Sequence, residues 1–417
     1  MPGGGTYDLR AGLNELLKSP APMQLINPRW EFQDANWWPD WPTSAKNIMW
    51  FYEKSKGPTV DGVIAINSDW LGSLLNVIGP VETDNNLEIT AANFEDEIQK
   101  EVEINYTDKT QPKKVLSGLA PKIIDKIFNI EPKNIFDLSN AVKSGLDQKD
   151  ILVYLKDEKE NNFVVKNGWN GEIKETNGDY LQVVATNIGG GKTDKSVRQN
   201  IYHQSEIQPD GSIINTVVIN RYHFGPIDDN FAKIANRSYL RVYVPLGSEL
   251  IRAEGFIRPS ETEFRQVDDF LLTDNRLVSE DEQAMIDFDS QTKIYEEQGK
   301  TVFANWLTIN PGQSQDLLLI YKLPFKITKA EKNIEVAGLA QKIKDFFVEP
   351  KNKTAYSLLL QKQPGSNDDE VISEVSFTDK FKTDGIYSKF NYSFEESKII
   401  FKGNLYSDQF NFVGFKY

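Results

Sequence analysis

The residues best suited to chemistry lie in one stretch, Trp30-Glu31-Phe32-Gln33-Asp34-Ala35-Asn36-Trp37-Trp38-Pro39-Asp40-Trp41-Pro42-Thr43, which with Trp50 holds five of the eight tryptophans. Flat indole faces beside carboxylates and an Asn amide suit sugar recognition. The apolar face of a sugar stacks on a ring while its hydroxyls pair with the polar groups. Asp34, Asn36, Trp37, Trp38, Asp40 and Trp41, with Asp61 downstream and Arg29 just upstream, are therefore candidate binding residues. The same composition suits an irregular segment pinned to its domain by buried aromatics, with Asp34 and Asn36 bonding local backbone amides. Asp34, Asp40 and Asp61 would serve as paired carboxylates only at a fixed separation in space, which spacing along the chain does not set.

Other motifs are weaker. Thr186-Asn187-Ile188-Gly189-Gly190-Gly191-Lys192-Thr193 ends like a phosphate-binding loop, but that loop needs glycine where Thr186 stands and must open a helix. Ser196 to Ile207 reads instead as a strand running into a Pro209-Asp210-Gly211 turn, which argues against nucleotide binding. His203 and His223 flank that turn on two strands, placed to face each other across a hairpin, yet two histidines without a third ligand do not make a metal site. Asp287-Phe288-Asp289 and Asp368-Asp369-Glu370 offer hard oxygen ligands without the spacing of an EF-hand, so solvated loops are expected. Sequons at Asn105, Asn236, Asn352 and Asn391 are about what an Asn-rich chain gives by chance.

The whole composition narrows the choice. The 417 residues carry 61 acidic against 47 basic side chains, a net charge of −14, which disfavours nucleic acid and anionic lipid as partners. There is no cysteine, which removes thiol nucleophiles, iron–sulfur clusters and zinc ribbons, and two histidines leave little for a Ser-His-Asp triad. No cofactor is expected. No stretch approaches the roughly 18 apolar residues of a membrane span.

The elements that must position these residues change character along the chain. Ser44 reads as the cap of a helix through Ala45, Ile48, Met49, Phe51 and Tyr52, stopped by Gly57-Pro58. Val63 to Ile66 reads as a buried strand, Ser68 as the cap of a helix to Ile78, and Thr90 as the cap of an acidic helix around Phe94, Ile98 and Val102. Further helices are expected through 115–127 and 135–142. From Tyr180 the period becomes two, giving strands at 181–186, 197–207, 213–223, 240–244, 250–256, 302–309, 317–323, 356–360, 371–377, 387–394, 399–401 and 410–415. The expected class is α+β: an N-terminal α/β layer domain over 1–170, then an antiparallel β-sandwich over 171–417 with a helical insertion near 330–348.

The run from Phe32 to Ala45, then Phe51-Tyr52-Glu53, Asp61 to Ile66, Leu74-Leu75 to Val81 and Thr90 to Asn93, resembles the bacterial domain-of-unknown-function 4012 family. Tyr222, Val244 to Ser248, Pro311-Gly312, Tyr321 to Pro324 and Lys362 to Gly365 extend the likeness over nearly the whole chain. The resemblance implies a cell-envelope protein outside the cytoplasm, held to the membrane by an anchor that this chain lacks. An upstream segment with an Asn, a Glu-Leu-Arg and a Gly-Gly pair is also implied and not found, so a piece of a longer protein is expected.

Asp61 to Val81 is also similar to part of the LytR-CpsA-Psr proteins, which transfer glycopolymers from polyprenyl pyrophosphate to the cell wall. Such chemistry needs convergent arginines. Residues 1–170 supply only Arg10 and Arg29. The leading expectation is a noncatalytic envelope module for a glycan or surface-protein partner. The alternative is a phosphotransferase with Arg29, Asp34 and Asp40 near Mg²⁺.

Overall fold

The computed structural model describes residues 13, 15–84, 86–103, 114–189, 191, 193–226, 233–327, 353–366 and 369–416. The helical insertion expected near 330–348 lies outside the described residues. The chain forms two compact units. One consists of Trp30–Ile173 with the described residues before Lys18, and the other of Lys18–Arg29 with the chain from Lys174 onward. The short segment Lys18–Arg29, grouped with the first domain in the sequence, thus packs with the second. No helix among the described residues is long and apolar enough to cross a membrane.

In the first unit, α1 (Trp41–Lys54) starts four residues earlier than a cap at Ser44 would place it. Asp40 is the cap, accepting from Thr43 N at 3.1 Å and Thr43 Oγ1 at 2.6 Å, and Pro42 suits the first turn because its missing N–H has no intrahelical partner there. Ser44 is buried and donates to Trp38 O at 2.7 Å instead. β1 (Gly62–Ile66) leads to α2 (Ser68–Ile78), where Asn67 rather than Ser68 is the cap and Gly79, at φ 80, ends the helix. β2 (Val81–Glu82) and β3 (Glu88–Ile89) form a small hairpin before α3 (Phe94–Glu103), α4 (Lys114–Phe128) and α5 (Ile135–Asp147). β4 (Ile151–Leu155) and α6 (Glu158–Lys166) complete the unit.

β1 pairs antiparallel with β4, Ile64 opposite Val153. One face of this pair, with Val63, Ala65, Leu152 and Tyr154, packs on Trp41, Ala45 and Ile48. A second cluster, including Leu74, Leu75, Phe94, Leu119 and Ile123, gathers α2, α3 and α4. α5 approaches α2 closely: Trp70 Nε1 donates to Ala141 O at 2.9 Å, and a Cβ on Gly145 would stand 2.5 Å from that nitrogen.

The second unit is a sandwich. Its strands are β5 (Asp179–Asn187), β6 (Val197–Ile207), β7 (Ser212–His223), β8 (Asn236–Pro245), β9 (Glu249–Glu254), β10 (Met285–Ile286), β11 (Lys293–Glu297), β12 (Lys300–Ile309) and β13 (Ser314–Lys326), followed by β14 (Lys353–Leu360), β15 (Glu370–Phe377), β16 (Lys382–Tyr387), β17 (Asn391–Glu395), β18 (Lys398–Asn404) and β19 (Gln409–Lys416). They form an eight-stranded sheet, β10-β11-β12-β8-β5-β14-β19-β16, and a seven-stranded sheet, β17-β18-β15-β6-β7-β13-β9. Two pairs, β14 with β5 and β15 with β6, are parallel, so the sheets are mixed rather than wholly antiparallel. β6 and β7 bury every second residue, as their alternation demands. The apolar core holds Val183, Val217, Leu307, Leu319, Leu358 and Val413 among others.

The strand expected at 387–394 is broken. β16 belongs to one sheet and β17 to the other, and between them Phe390 turns inward while Ser388 Oγ accepts from its N–H at 2.9 Å and donates to Asn411 Oδ1 at 2.7 Å.

A polar tie crosses this apolar interior. Asp179 on β5 accepts from Tyr356 OH of β14 at 2.6 Å and from Asn215 Nδ2 of β7 at 2.7 Å, so one carboxylate oxygen links both sheets. Its other oxygen accepts from Tyr180 N at 2.7 Å. Ser205 of β6 lies 2.6 Å from Tyr356 OH and donates to Asn215 Oδ1 at 2.7 Å, while Tyr321 OH is 3.2 Å from Asn215 Nδ2. His203 Nδ1 meets Ser373 Oγ at 3.1 Å. Burial pushes the Tyr321 and Tyr356 phenols well above their ordinary value, so both keep their protons. A second buried chain runs from Arg221 Nη1 to Gln199 Oε1 at 2.9 Å, and from Gln199 Nε2 to Asp369 Oδ2 at 3.1 Å.

Ser205→Ala takes the Ser205 donor from Asn215 Oδ1 and one of two partners from Tyr356 OH, and is expected to cost about 1–3 kcal/mol in urea unfolding, with the far-ultraviolet spectrum unchanged. Asp369 gives a pH signature. Burial outweighs the nearby Arg221 charge and raises its carboxyl from 3.8 to about 6. The folded state therefore holds a proton that the unfolded state has lost, and stability present below about pH 4 falls as pH rises through 6. Asp369→Asn should flatten that slope by about 3 kcal/mol in denaturant titrations between these pH values. The slope from Asp281, raised to about 6 mainly by burial, would persist.

Candidate functional site

The structure uses the tryptophan-rich segment as an anchor. Trp37, Trp38 and Trp41 are 3%, 5% and 3% exposed, so their faces are not open for stacking; this corrects the expected sugar platform. Trp30 is fully buried, with its ring edge-on to Phe51 at 5.2 Å, and its Nε1 donates to Asp34 O at 3.0 Å. A segment with little regular backbone pairing is fixed by side chains, and aromatics supply the most buried area. Asn47 Nδ2 helps by donating to Ala35 O at 2.7 Å.

The polar candidates differ in their surroundings. Asp40 is buried and its second carboxylate oxygen accepts from Ile173 N at 3.0 Å, so the group is committed to capping and to closing the unit. Asp34 is half-buried at the end of a short 3-10 turn, while Asn36 and Asp61 are exposed. Arg29 belongs to the second unit, where its backbone N donates to Asn27 Oδ1 at 3.3 Å and lies opposite Lys18. Among the described residues no three His, Asp or Glu side chains are grouped to hold a metal ion.

His203, Ser205 and Asp179 have the residue types of a catalytic triad without its geometry. Ser205 Oγ at 3.4 Å and Asp179 Oδ2 at 3.7 Å both address Nε2, whereas a triad carboxylate holds Nδ1. All three side chains are fully buried, out of a substrate's reach. His203 stands opposite Val217 and His223 opposite Val197, so the two histidines do not face one another as expected. The His223 ring lies between Ile234 O, 3.0 Å from Nε2, and the Gly225 N–H, 3.2 Å from Nδ1. Asp287 Oδ2 accepts from Ser290 N and Oγ in a local turn. Asn236 is buried and donates to Asp194 Oδ1 at 2.8 Å, Asn391 is exposed, and Asp368, Asn105 and Asn352 lie outside the described residues.

A pocket of about 150 Å³ in the second unit is the better candidate. Trp306 of β12 and Tyr239 of β8 are among its lining, each only 2% exposed, with ring centres 5.3 Å apart. Phe264 stands edge-on to Trp306 at 5.8 Å, and the Arg258 guanidinium lies 5.5 Å over the Phe264 ring while pairing with Glu261 at 2.9 Å. Gln24, Gln291 and Asn305 bring amide groups to the wall. Asn305 is held by Ser290 O at 2.9 Å and Thr292 Oγ1 at 3.1 Å, and Lys293 Nζ by Glu280 O at 3.2 Å. Burial keeps the Tyr239 phenol protonated. The Phe264 ring, amides and two cations, Arg258 and Lys293, beside the Glu261 carboxylate can bind a small polar ligand, and among the described residues no nucleophile paired with a base lines the wall. These groups come from five separated segments, so spacing could not reveal them. Their one signal in the sequence is that Trp306 is the only tryptophan after residue 169.

Solved structures give faint likenesses. An M1 zinc metallopeptidase of Deinococcus radiodurans aligns at 8% identity and a TM-score of 0.24, covering 53% of this chain and 43% of that one. A candidate nutrient-binding protein of Legionella pneumophila aligns at 8% identity and a TM-score of 0.26, covering 57% and 72%. The chain spans less than half the length of the peptidase, and neither likeness carries an argument. No curated protein matches the sequence. Residues 9–102, less than a quarter of the chain, match the model described as protein of unknown function (DUF4012), and over that stretch the chain is similar to that family.

Proposed function

We propose that the chain is a noncatalytic, extracytoplasmic cell-envelope protein whose sandwich binds one sugar unit of an envelope glycan at the Trp306 pocket. The observation that carries the reading is the half-buried Phe264 ring, beneath the Arg258 guanidinium and edge-on to a Trp306 that is 2% exposed, in one pocket lining with Gln24, Gln291 and Asn305. That combination offers a sugar both an apolar face and hydroxyl partners. At about 150 Å³ the pocket has room for a single ring, well below the ~300 Å³ at which drug-sized sites begin. The envelope location rests on the family likeness of the first unit. No cofactor is invoked. A phosphotransferase using Arg29, Asp34, Asp40 and Mg²⁺ would require those side chains to converge, whereas Asp40 is spent as a helix cap.

Calorimetric titration with monosaccharides and short envelope glycans tests the reading. Saturable binding is expected, weakened about tenfold, or roughly 1.4 kcal/mol, by Arg258→Ala and left unchanged by Asn36→Ala. Absence of binding, or equal loss in both variants, would overturn it.

A further inference from the structure

The first unit leaves one strand edge open. Across the β1/β4 pair, Asn67 N donates to Asp150 O and Lys156 N to Asp61 O, each at 2.7 Å. Residues 61, 63, 65 and 67 therefore direct their backbone groups toward β4, and the alternation turns those of Gly62, Ile64 and Ile66 outward. β4 obeys the same parity: Val153 N and Leu155 N point away from β1, to Trp169 O and Asn161 Oδ1. Among the described residues no backbone group meets the outer edge of β1. Ile64 and Ile66 on that strand are 59% and 51% exposed.

Three of the four edges of the sandwich are protected. β10 is two residues long, β16 is interrupted by a register shift between Thr383 and Gly385, and β9 carries Glu249, Arg252 and Glu254 beside a shift of its own. Shortness, bulges and charge are the usual protections against strand addition. β1 has none of them: Gly62-Val63-Ile64-Ala65-Ile66 contains no charge, proline or bulge.

We infer that β1 pairs antiparallel with β1 of a second copy of this chain, about a two-fold axis through Ile64. The strand is its own complement in this register. Ile64 meets Ile64, and Ile66 lies beside Gly62, which has no side chain to obstruct it. The three outward-facing residues then exchange hydrogen bonds with their mates. The flanking charge agrees, since Asp61 falls opposite Asn67, so no carboxylate faces its twin. The exposed isoleucines of the two copies join in one apolar stripe on the same face of a four-stranded sheet.

Sedimentation equilibrium of the full chain over a concentration series is expected to show the mass of two chains. Because position 64 meets itself, Ile64→Lys and Ile64→Glu should each raise the dissociation constant about tenfold or more by like-charge repulsion, and an equimolar mixture of the two should regain the two-chain mass. Ile64 is exposed, so neither change disturbs the monomer's core. In this cysteine-free chain Ile64→Cys should cross-link on oxidation, since facing Cα atoms near 5.5 Å are within disulfide reach, while Ile66→Cys should not. A single-chain mass at every concentration would overturn the inference. So would association unaffected by Ile64→Lys, or charge variants that fail to recover on mixing, including the case where only a different polypeptide closes the edge.

Discussion

Placing the Asp179 carboxylate between two apolar sheets obliges the sandwich to surround it with donors. A buried carboxylate stripped of its partners costs several kcal/mol, and its partners come from β14 and β7, on opposite sheets. Asn215 and Ser205 must face inward together, which fixes β6 against β7 at Ser205 opposite Asn215. A slip of one residue would carry His203 and Ser205 to the outer face. Hydrophobic alternation alone would tolerate a shift by two residues; the polar tie would not.

The sequence made some of this legible. β6 and β7 could be drawn almost to their ends because alternation and the Pro209-Asp210-Gly211 turn agree, and Gly211 takes the positive φ of 83 that the turn needs. Helix starts were harder. Asp40 and Ser44 both have capping side chains, and the choice turned on Trp38 O claiming the Ser44 hydroxyl, a contact fixed by tertiary packing. The two parallel pairs were hidden for a different reason: buried strands alternate alike whichever way a neighbour runs. Phe390 reads as the continuation of a strand, and only the change of sheet shows it to be a plug.

The candidate site follows the same division. The tryptophans that dominate the sequence hold an irregular segment in place, whereas the isolated Trp306 lines a pocket. Density of chemically able residues along the chain measured local packing demand. The pocket's lining, drawn from Gln24 to Trp306, depends on long-range closure that no local pattern encodes.

That closure bears on how the protein is made. Lys18–Arg29 belongs to the sandwich, where Ala21 N donates to Asp281 at 3.2 Å and Arg265 N to Gln24 O at 3.0 Å, yet Trp30–Ile173 forms a separate unit in between. The segment leaves the ribosome before any strand of its own sheets exists. At about 5–20 residues per second it waits several seconds or more for its partners. Trp30–Ile173, the larger piece of the first unit, can meanwhile fold, while the sandwich stays open until β19 emerges to pair with β14 and β16. Synthesis order thus makes the inserted unit the early folder and the sandwich, with its first and last pieces far apart in time, the late one.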